Sequence, residues 1–149
     1  MRFVIQRVKN AGVSVGNDYR EKINKGFLVL IGVTHEDNEA IADKMVKKML
    51  GLRIFEDENG KTNLSLDDVG GELLLISQFT LYADCSHGNR PSFTNAGGAE
   101  MANSLYEYIC KKCVEAGKTV KKGIFGEDMK VDLLNDGPFT IILDSNDLK

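Results

Sequence analysis

The chain has 149 residues, 42% hydrophobic and 28% charged, with a net charge of -3 and a pI near 5.4. That length makes a single domain, residues 1–149, able to bury roughly 70% of the surface its unfolded form exposes. The acidic balance argues against a protein that coats nucleic acid non-specifically but leaves room for a small RNA contact at the lysine clusters Lys44-Lys47-Lys48, Lys111-Lys112 and Lys118-Lys121-Lys122, which otherwise read as solvated helix faces and sheet edges.

Along the chain, Met1-Arg-Phe-Val-Ile-Gln-Arg-Val8 opens directly on a strand pattern and leaves no room for a signal peptide. Arg2 to Val8 and Val13 to Val15 read as strand, turning at Gly16-Asn17-Asp18 into Tyr19 to Ile23. Phe27 to Val33 is a continuous apolar run suited to a buried strand and far shorter than the roughly 20 residues of a membrane span. From about Asn38 to Leu52, Ile41, Met45, Met49 and Leu52 recur at helical spacing, with Asp37 or Asn38 as N-cap. Asn59-Gly60 marks a turn and Asp67 to Gly71 a loop. Leu73-Leu74-Leu75-Ile76 is a buried strand running on into Ser77-Gln78-Phe79-Thr80-Leu81. A second helix spans roughly Ala99 to Ala116, with Ala102, Leu105, Ile109 and Cys113 on one stripe. Strands return near Thr119 to Lys121, Lys130 to Leu134 and Phe139 to Leu143. The expected fold class is α/β (α+β): mixed, largely antiparallel sheets with two amphipathic helices packed outside.

Between the last two strand patterns stands Asp136-Gly137-Pro138. Locally this reads as a hairpin corner, because glycine accepts the positive φ of a primed turn and Pro138 can open the next strand.

Familiar catalytic side chains are scarce. Cys110 and Cys113 have redox spacing but lie in a helical pattern, where Cys113 joins the apolar stripe. Cys85 and His87 are loop neighbours with no third partner evident, and His35-Glu36-Asp37 fits the acidic start of a helix. Ligand spacing for a metal and a glycine-rich phosphate loop are both missing, so no cofactor is expected. Three cysteines, an odd number, fit reduced thiols in the cytosol, and the expected setting is cytoplasmic, without a membrane segment. What remains is Ser77 to Thr80. Alternation puts Ser77 and Phe79 on one face and Gln78 and Thr80 on the other. Hydroxyls, an amide and free N–H groups at a strand end can bind an ester and its oxyanion.

Ser77-Gln-Phe-Thr-Leu81, Gly88-Asn-Arg-Pro-Ser-Phe93 and Asn135-Asp-Gly-Pro-Phe-Thr140 together resemble the D-aminoacyl-tRNA deacylase (D-tyrosyl-tRNA(Tyr) deacylase) family. Ile5-Gln-Arg-Val8, Arg53-Ile-Phe55 and Phe125-Gly-Glu-Asp-Met-Lys-Val131 match it too, in the same order. Phe139 stands where the family often has valine, and Cys85-Ser86-His87 fills a variable loop.

The resemblance implies a homodimeric hydrolase that binds D-aminoacyl-tRNA at its 3′ end and cleaves the ester to the terminal adenosine. It implies that Gly137-Pro138 is a cis peptide reaching into the partner subunit's site, where its carbonyls receive the substrate's α-ammonium group. Arg7 is similar to the residue that holds this motif, and Met129 falls in a supporting segment. Ser77, Gln78, Phe79 and Thr80 become the ester-binding end, with N–H groups near Phe79 and Thr80 as oxyanion donors. Thr80 either orients the ester or attacks it, and the substrate's own 2′-OH is an alternative source of assistance. Two competing classes are a dimer that binds nucleic-acid ends without chemistry and a cysteine hydrolase or redox protein.

Overall fold

A computed structural model describes residues 1–149. Its organiser is β1 (Arg2–Val15). One edge of β1 pairs antiparallel with β3 (Gly26–Gly32) through Arg2 to Val8, then with β2 (Tyr19–Ile23) through Ala11 to Val15. The other edge is taken along nearly its whole length by β8 (Lys130–Asp144), also antiparallel. Beyond β3 the sheet continues in parallel through β6 (Glu72–Ser77) and β7 (Val120–Lys122), giving the order β2-β1-β3-β6-β7. The mixed, mainly antiparallel sheet with helices outside it is the expected fold class.

Strand alternation sorts the apolar residues into two layers. Phe27, Val29 and Ile31 of β3 and Leu73 and Leu75 of β6 face α1 (Glu39–Gly51) and α3 (Ala99–Glu115). Leu28, Leu74 and Ile76 face the opposite way, into a smaller cluster with Val8, Ala11, Val13 and Ile23. Each such fully buried side chain contributes about 1.5–3 kcal/mol of transfer free energy. Both helices therefore cover one face of the sheet. Asn38 caps α1 by accepting the Ile41 N–H, and the buried stripe is Ala42, Met45, Val46 and Met49. The Tyr106 hydroxyl of α3 donates to the Leu75 carbonyl at 2.6 Å and locks that helix to β6. Gly26 begins β3 with φ +159° and its Cα against the Glu72 backbone, an approach that any Cβ would block.

Three sequence expectations need correction. The segment Lys130 to Leu143 is one strand, with no hairpin at Asp136-Gly137. Val8 pairs with Asn135 and Gln6 with Thr140, so one β1 residue, Arg7, faces four on β8, Asp136 to Phe139. Glycine and proline mark a wide bulge here, because β1 offers a template long enough to resume pairing beyond it. Next, strand alternation stops at Ser77: Phe79–Tyr82 is a turn of 3-10 helix, so the two-face division of Ser77 to Thr80 does not hold. Finally, the presumed loop at Asp67 to Gly71 carries a short helix, α2 (Leu66–Val69). Ser65 and Asp68 cap it reciprocally, and Gly70 closes it at φ +63°. A small ribbon of β4 (Phe55–Glu56) and β5 (Thr62–Leu64) precedes it around the Asn59-Gly60 turn.

Candidate active site

The end of β6 is left open by the brevity of its neighbour. Pairing with β7 ends at Leu75 opposite Lys122, so Ile76 and Ser77, still paired with β3 on one edge, have no strand beside them on the other. A cleft of about 640 Å³ occupies that gap. Its floor is Ile76 and Ser77, and its walls come from Ala99 and Ala102 of α3 and the segment Phe125 to Met129. Phe79 and Phe93 stand at its mouth, 54% and 40% exposed, edge to face with ring centres 5.1 Å apart. Exposed aromatic rings beside a cleft are suited to stacking on a planar ligand.

Backbone donors converge on the same stretch. In β6 the N–H groups of Glu72 and Gln78 bond toward β3, to Lys25 and Ile31 carbonyls, while that of Leu73 bonds toward β7, to Thr119. Ser77 points its N–H to the β7 side, where the strand has ended, and finds no acceptor in the chain. The N–H groups of Phe79 and Thr80 open the 3-10 turn and are likewise unspent, with no side chain capping them. The Gln78 amide donates to the Thr80 hydroxyl oxygen at 2.5 Å, leaving the Thr80 proton free to be given elsewhere. Met129 lines the cleft with its sulfur in the space left by the missing side chain of Gly123, beside Ile76.

Sequence reasoning missed the residue that seats this turn. Arg2 donates from Nη1 to the Leu81 carbonyl at 2.7 Å, stacks 4.6 Å from the Tyr82 ring centre and pairs with Asp144 at 2.9 Å. Gly32 leaves room for Leu81 and Tyr82 to lie on the sheet. Arg2 reads locally as a solvent-facing strand residue, and its partners lie 79 and 142 positions away, so only the fold reveals it.

The second group of predicted residues gathers at the β8 bulge. Arg7 is almost fully buried and donates from Nε to the Asp136 carbonyl at 3.0 Å and from Nη1 to the Ile54 carbonyl at 2.7 Å. Its guanidinium also lies over the Phe139 ring, 4.6 Å from the centre. The carbonyl it grips in the motif is thus that of Asp136, immediately before Gly137. The Gly137-Pro138 peptide bond is cis, and both residues are exposed at the tip.

The structure brings Ser77, Gln78, Phe79 and Met129 to one cleft, with Thr80 joined through Gln78. Arg7, Gly137 and Pro138 are elsewhere. Arg7 is in register with Phe27 and Phe27 with Leu73, whereas Ser77 pairs with Ile31. The bulge is therefore four residues down and three strand spacings across from Ser77, roughly 20 Å away in the same chain.

Cysteine chemistry has no place in either group. Cys110 and Cys113 lie in the core, where burial pushes their thiols up to about 11 and about 12. Cys85 is exposed in the loop beside the cleft, and the His35 ring is taken by the Thr94 carbonyl at 2.6 Å. No group of three or more His, Cys, Asp or Glu side chains is arranged to hold a metal ion, and no helix is long and apolar enough to cross a membrane.

Residues 4–144 match the family model described as D-Tyr-tRNA(Tyr) deacylase. The chain is 56% identical over 146 residues to a D-aminoacyl-tRNA deacylase of Clostridioides difficile (strain 630), covering 98% of each. It is 48% identical over 149 residues to one from Listeria monocytogenes serotype 4b, covering 100% of this chain and 99% of that one. Among solved structures, one titled c-Myc DNA unwinding element binding protein superposes with a TM-score of 0.90 at 39% identity, over 97% of this chain and 98% of the other. A probable eukaryotic D-amino acid tRNA deacylase shares the fold, with a TM-score of 0.82 at 20% identity over 95% of this chain and 97% of the other. With motifs, fold and near full-length identity in agreement, the chain belongs to the D-Tyr-tRNA(Tyr) deacylase family and is a hydrolase that deacylates tRNA.

Proposed function

We propose that this enzyme hydrolyses the ester between a D-amino acid, or glycine, and the 3′-terminal adenosine of tRNA, returning free tRNA and amino acid in the cytoplasm. The observation that carries this reading is the set of unspent N–H groups of Ser77, Phe79 and Thr80 beside the cleft. An ester carbonyl placed among them gains donors fixed before the reaction begins, and one such donor typically supports about 3–4 kcal/mol of transition-state stabilisation. The exposed rings of Phe79 and Phe93 suit the adenine base. Thr80 acts by orienting the ester: its oxygen already accepts from Gln78, its proton is available to donate, and no base is bonded to it. The attacking oxygen is then water, assisted by the substrate's 2′-OH. Binding of nucleic acid without chemistry is disfavoured by the net charge of -3 and by the acidic residues Glu127 and Asp128 on the cleft wall.

The working unit is a homodimer. Ser77 to Thr80 and Gly137-Pro138 cannot share a site within one chain across roughly 20 Å, whereas a two-fold partner can present its bulge to this cleft. The helix-free face supports such docking. Ile142, Val4, Leu30 and Ile76 form a row across four strands, with Ile142 68% exposed. Chiral selection follows from rejection, because an L side chain is driven against the Gly137-Pro138 backbone, while glycine has no side chain to reject.

Two experiments test the reading. Hydrolysis of D-tyrosyl-tRNA should greatly exceed that of L-tyrosyl-tRNA, and equal rates would sink the chiral assignment. For the shared site, a Thr80→Ala subunit paired with a Gly137-Pro138 double-alanine subunit yields one site with both lesions and one with neither. Such heterodimers should recover up to about half the wild-type activity. No recovery in verified heterodimers would rule out a site built across subunits.

A further inference from the structure

The bulge that carries Gly137-Pro138 is closed by a side chain that no catalytic assignment includes. Asn135 pairs with Val8 at its own position, then spans the neck of the bulge. Its Nδ2 donates to the Phe139 carbonyl at 3.0 Å and to the Arg7 carbonyl at 2.9 Å, and its Oδ1 accepts the Phe139 N–H at 3.2 Å. Both amide protons and one oxygen lone pair are committed, and only this orientation of the amide fits, because the flipped group would set oxygen against two carbonyls. Asn135 and Phe139, the two ends of the excursion, are thereby pinned together with Gly137-Pro138 as the exposed tip.

We propose that Asn135 is a positioning residue that sets the stereochemical selectivity of the site its bulge enters. This rests on the function proposed above, in which the Gly137-Pro138 backbone rejects the L side chain. Rejection by a backbone requires that the backbone not yield. Arg7 holds the first limb through the Asp136 carbonyl, and Asn135 Oδ1 holds the second by accepting the Phe139 N–H. With Asn135 removed, the neck opens and the tip can retreat from an L side chain. A shift of about 1 Å at such a contact is enough to change rates roughly 100-fold. Alanine removes all three of these side-chain bonds. Aspartate keeps the bond to the Phe139 N–H but faces two carbonyls with an anion.

The test compares kcat/KM for D-tyrosyl-tRNA and L-tyrosyl-tRNA in the wild type, Asn135→Ala and Asn135→Asp. Both variants should lose at least about tenfold in the D to L ratio, chiefly by gaining activity on the L ester. A merely structural role lowers both rates and leaves the ratio alone, and folded variants with an unchanged ratio would overturn the proposal. Wild-type protein that fails to discriminate would instead remove the functional reading beneath it. Should neither variant fold, hydrogen exchange on the wild type decides. The Phe139 amide should be protected to within about tenfold of the Ile141 amide in the same strand, and exchange at the rate of an unbonded loop amide would refute the clamp.

Discussion

Replacing Arg7 by alanine should destabilise the protein by about 3.5–7 kcal/mol, a large part of a total that for most domains is about 5–15. Arg7 makes two hydrogen bonds from a buried cation, to Asp136 and Ile54 carbonyls, each of a kind that contributes about 1.5–3 kcal/mol. Its stacking on Phe139 adds about 0.5–1. The ion pair with the Asp136 carboxylate is left out of the sum, because at 3.8 Å and with Asp136 37% exposed it is screened by solvent. Arg7→Lys keeps the charge, but an ammonium lacks the planar fork that serves two carbonyls at once, so it should cost about 1.5–3 kcal/mol, one bond of the two. Urea unfolding followed by far-UV circular dichroism measures both at one fixed protein concentration, since subunit association would contribute to apparent stability. The reasoning fails if alanine costs less than about 1 kcal/mol, or if lysine and alanine are indistinguishable. Either result would mean that Ile54, Asp136 and Phe139 are held by the sheet alone.

Thr80→Ala should lower kcat on D-tyrosyl-tRNA yet leave a rate well above the uncatalysed one, because the backbone donors remain; a rate at background would make Thr80 the nucleophile. Activity should survive both EDTA and thiol alkylation, and at pH 7.5 only Cys85 should be modified, since burial keeps Cys110 and Cys113 protonated; mass spectrometry counts the adducts, and more than one under native conditions contradicts the packing. Tyr106→Phe should cost about 1–2 kcal/mol through the lost bond to the Leu75 carbonyl. Burial raises the Tyr106 phenol far above its ordinary range, so the folded state stays neutral where the unfolded chain begins to ionise. Stability from this group is full below about pH 10 and declines above it, so the wild type should lose stability faster than Tyr106→Phe from pH 10 upward in parallel urea titrations.

What could be read from the sequence was whatever local chemistry decides. The apolar runs Phe27 to Val33 and Leu73 to Ile76 became paired central strands, and the stripes of Met45 and Met49 and of Leu105 and Ile109 became the buried faces of α1 and α3. A helix or strand with a continuous apolar face has few other places to go. The failures lie where a distant segment overrides a local preference. Asp136-Gly137-Pro138 carries every mark of a hairpin, yet β1 runs past it with free backbone groups on both sides, and resuming that ladder outweighs the turn. Ser77-Gln78-Phe79 has strand composition, but β7 ends at Lys122 and Arg2 draws Leu81 down onto Gly32, so the chain coils into a 3-10 turn. Resemblance pointed to these segments without the shape that they take.

These two overrides are what give the molecule a site. A regular β6 continuing beside a longer β7 would spend the Ser77 N–H in the ladder, and a strand through Phe79 and Thr80 would offer theirs to neighbours rather than to a ligand. Interrupting the pairing leaves three donors unspent beside a largely apolar cleft, available to a ligand. A hairpin at Asp136-Gly137 would likewise fold its corner back on its own strand. A bulge lifts Gly137-Pro138 out of the sheet while Asn135, Arg7 and β1 hold its base on both sides. In the proposed function, donors for an ester and a rigid wall for its side chain would both be made by the same device, an interrupted ladder. Because one interruption lies on β6 and the other on β8, three strands apart, a single sheet cannot bring them face to face. A second copy related by a two-fold axis can do so twice, with one surface serving both sites.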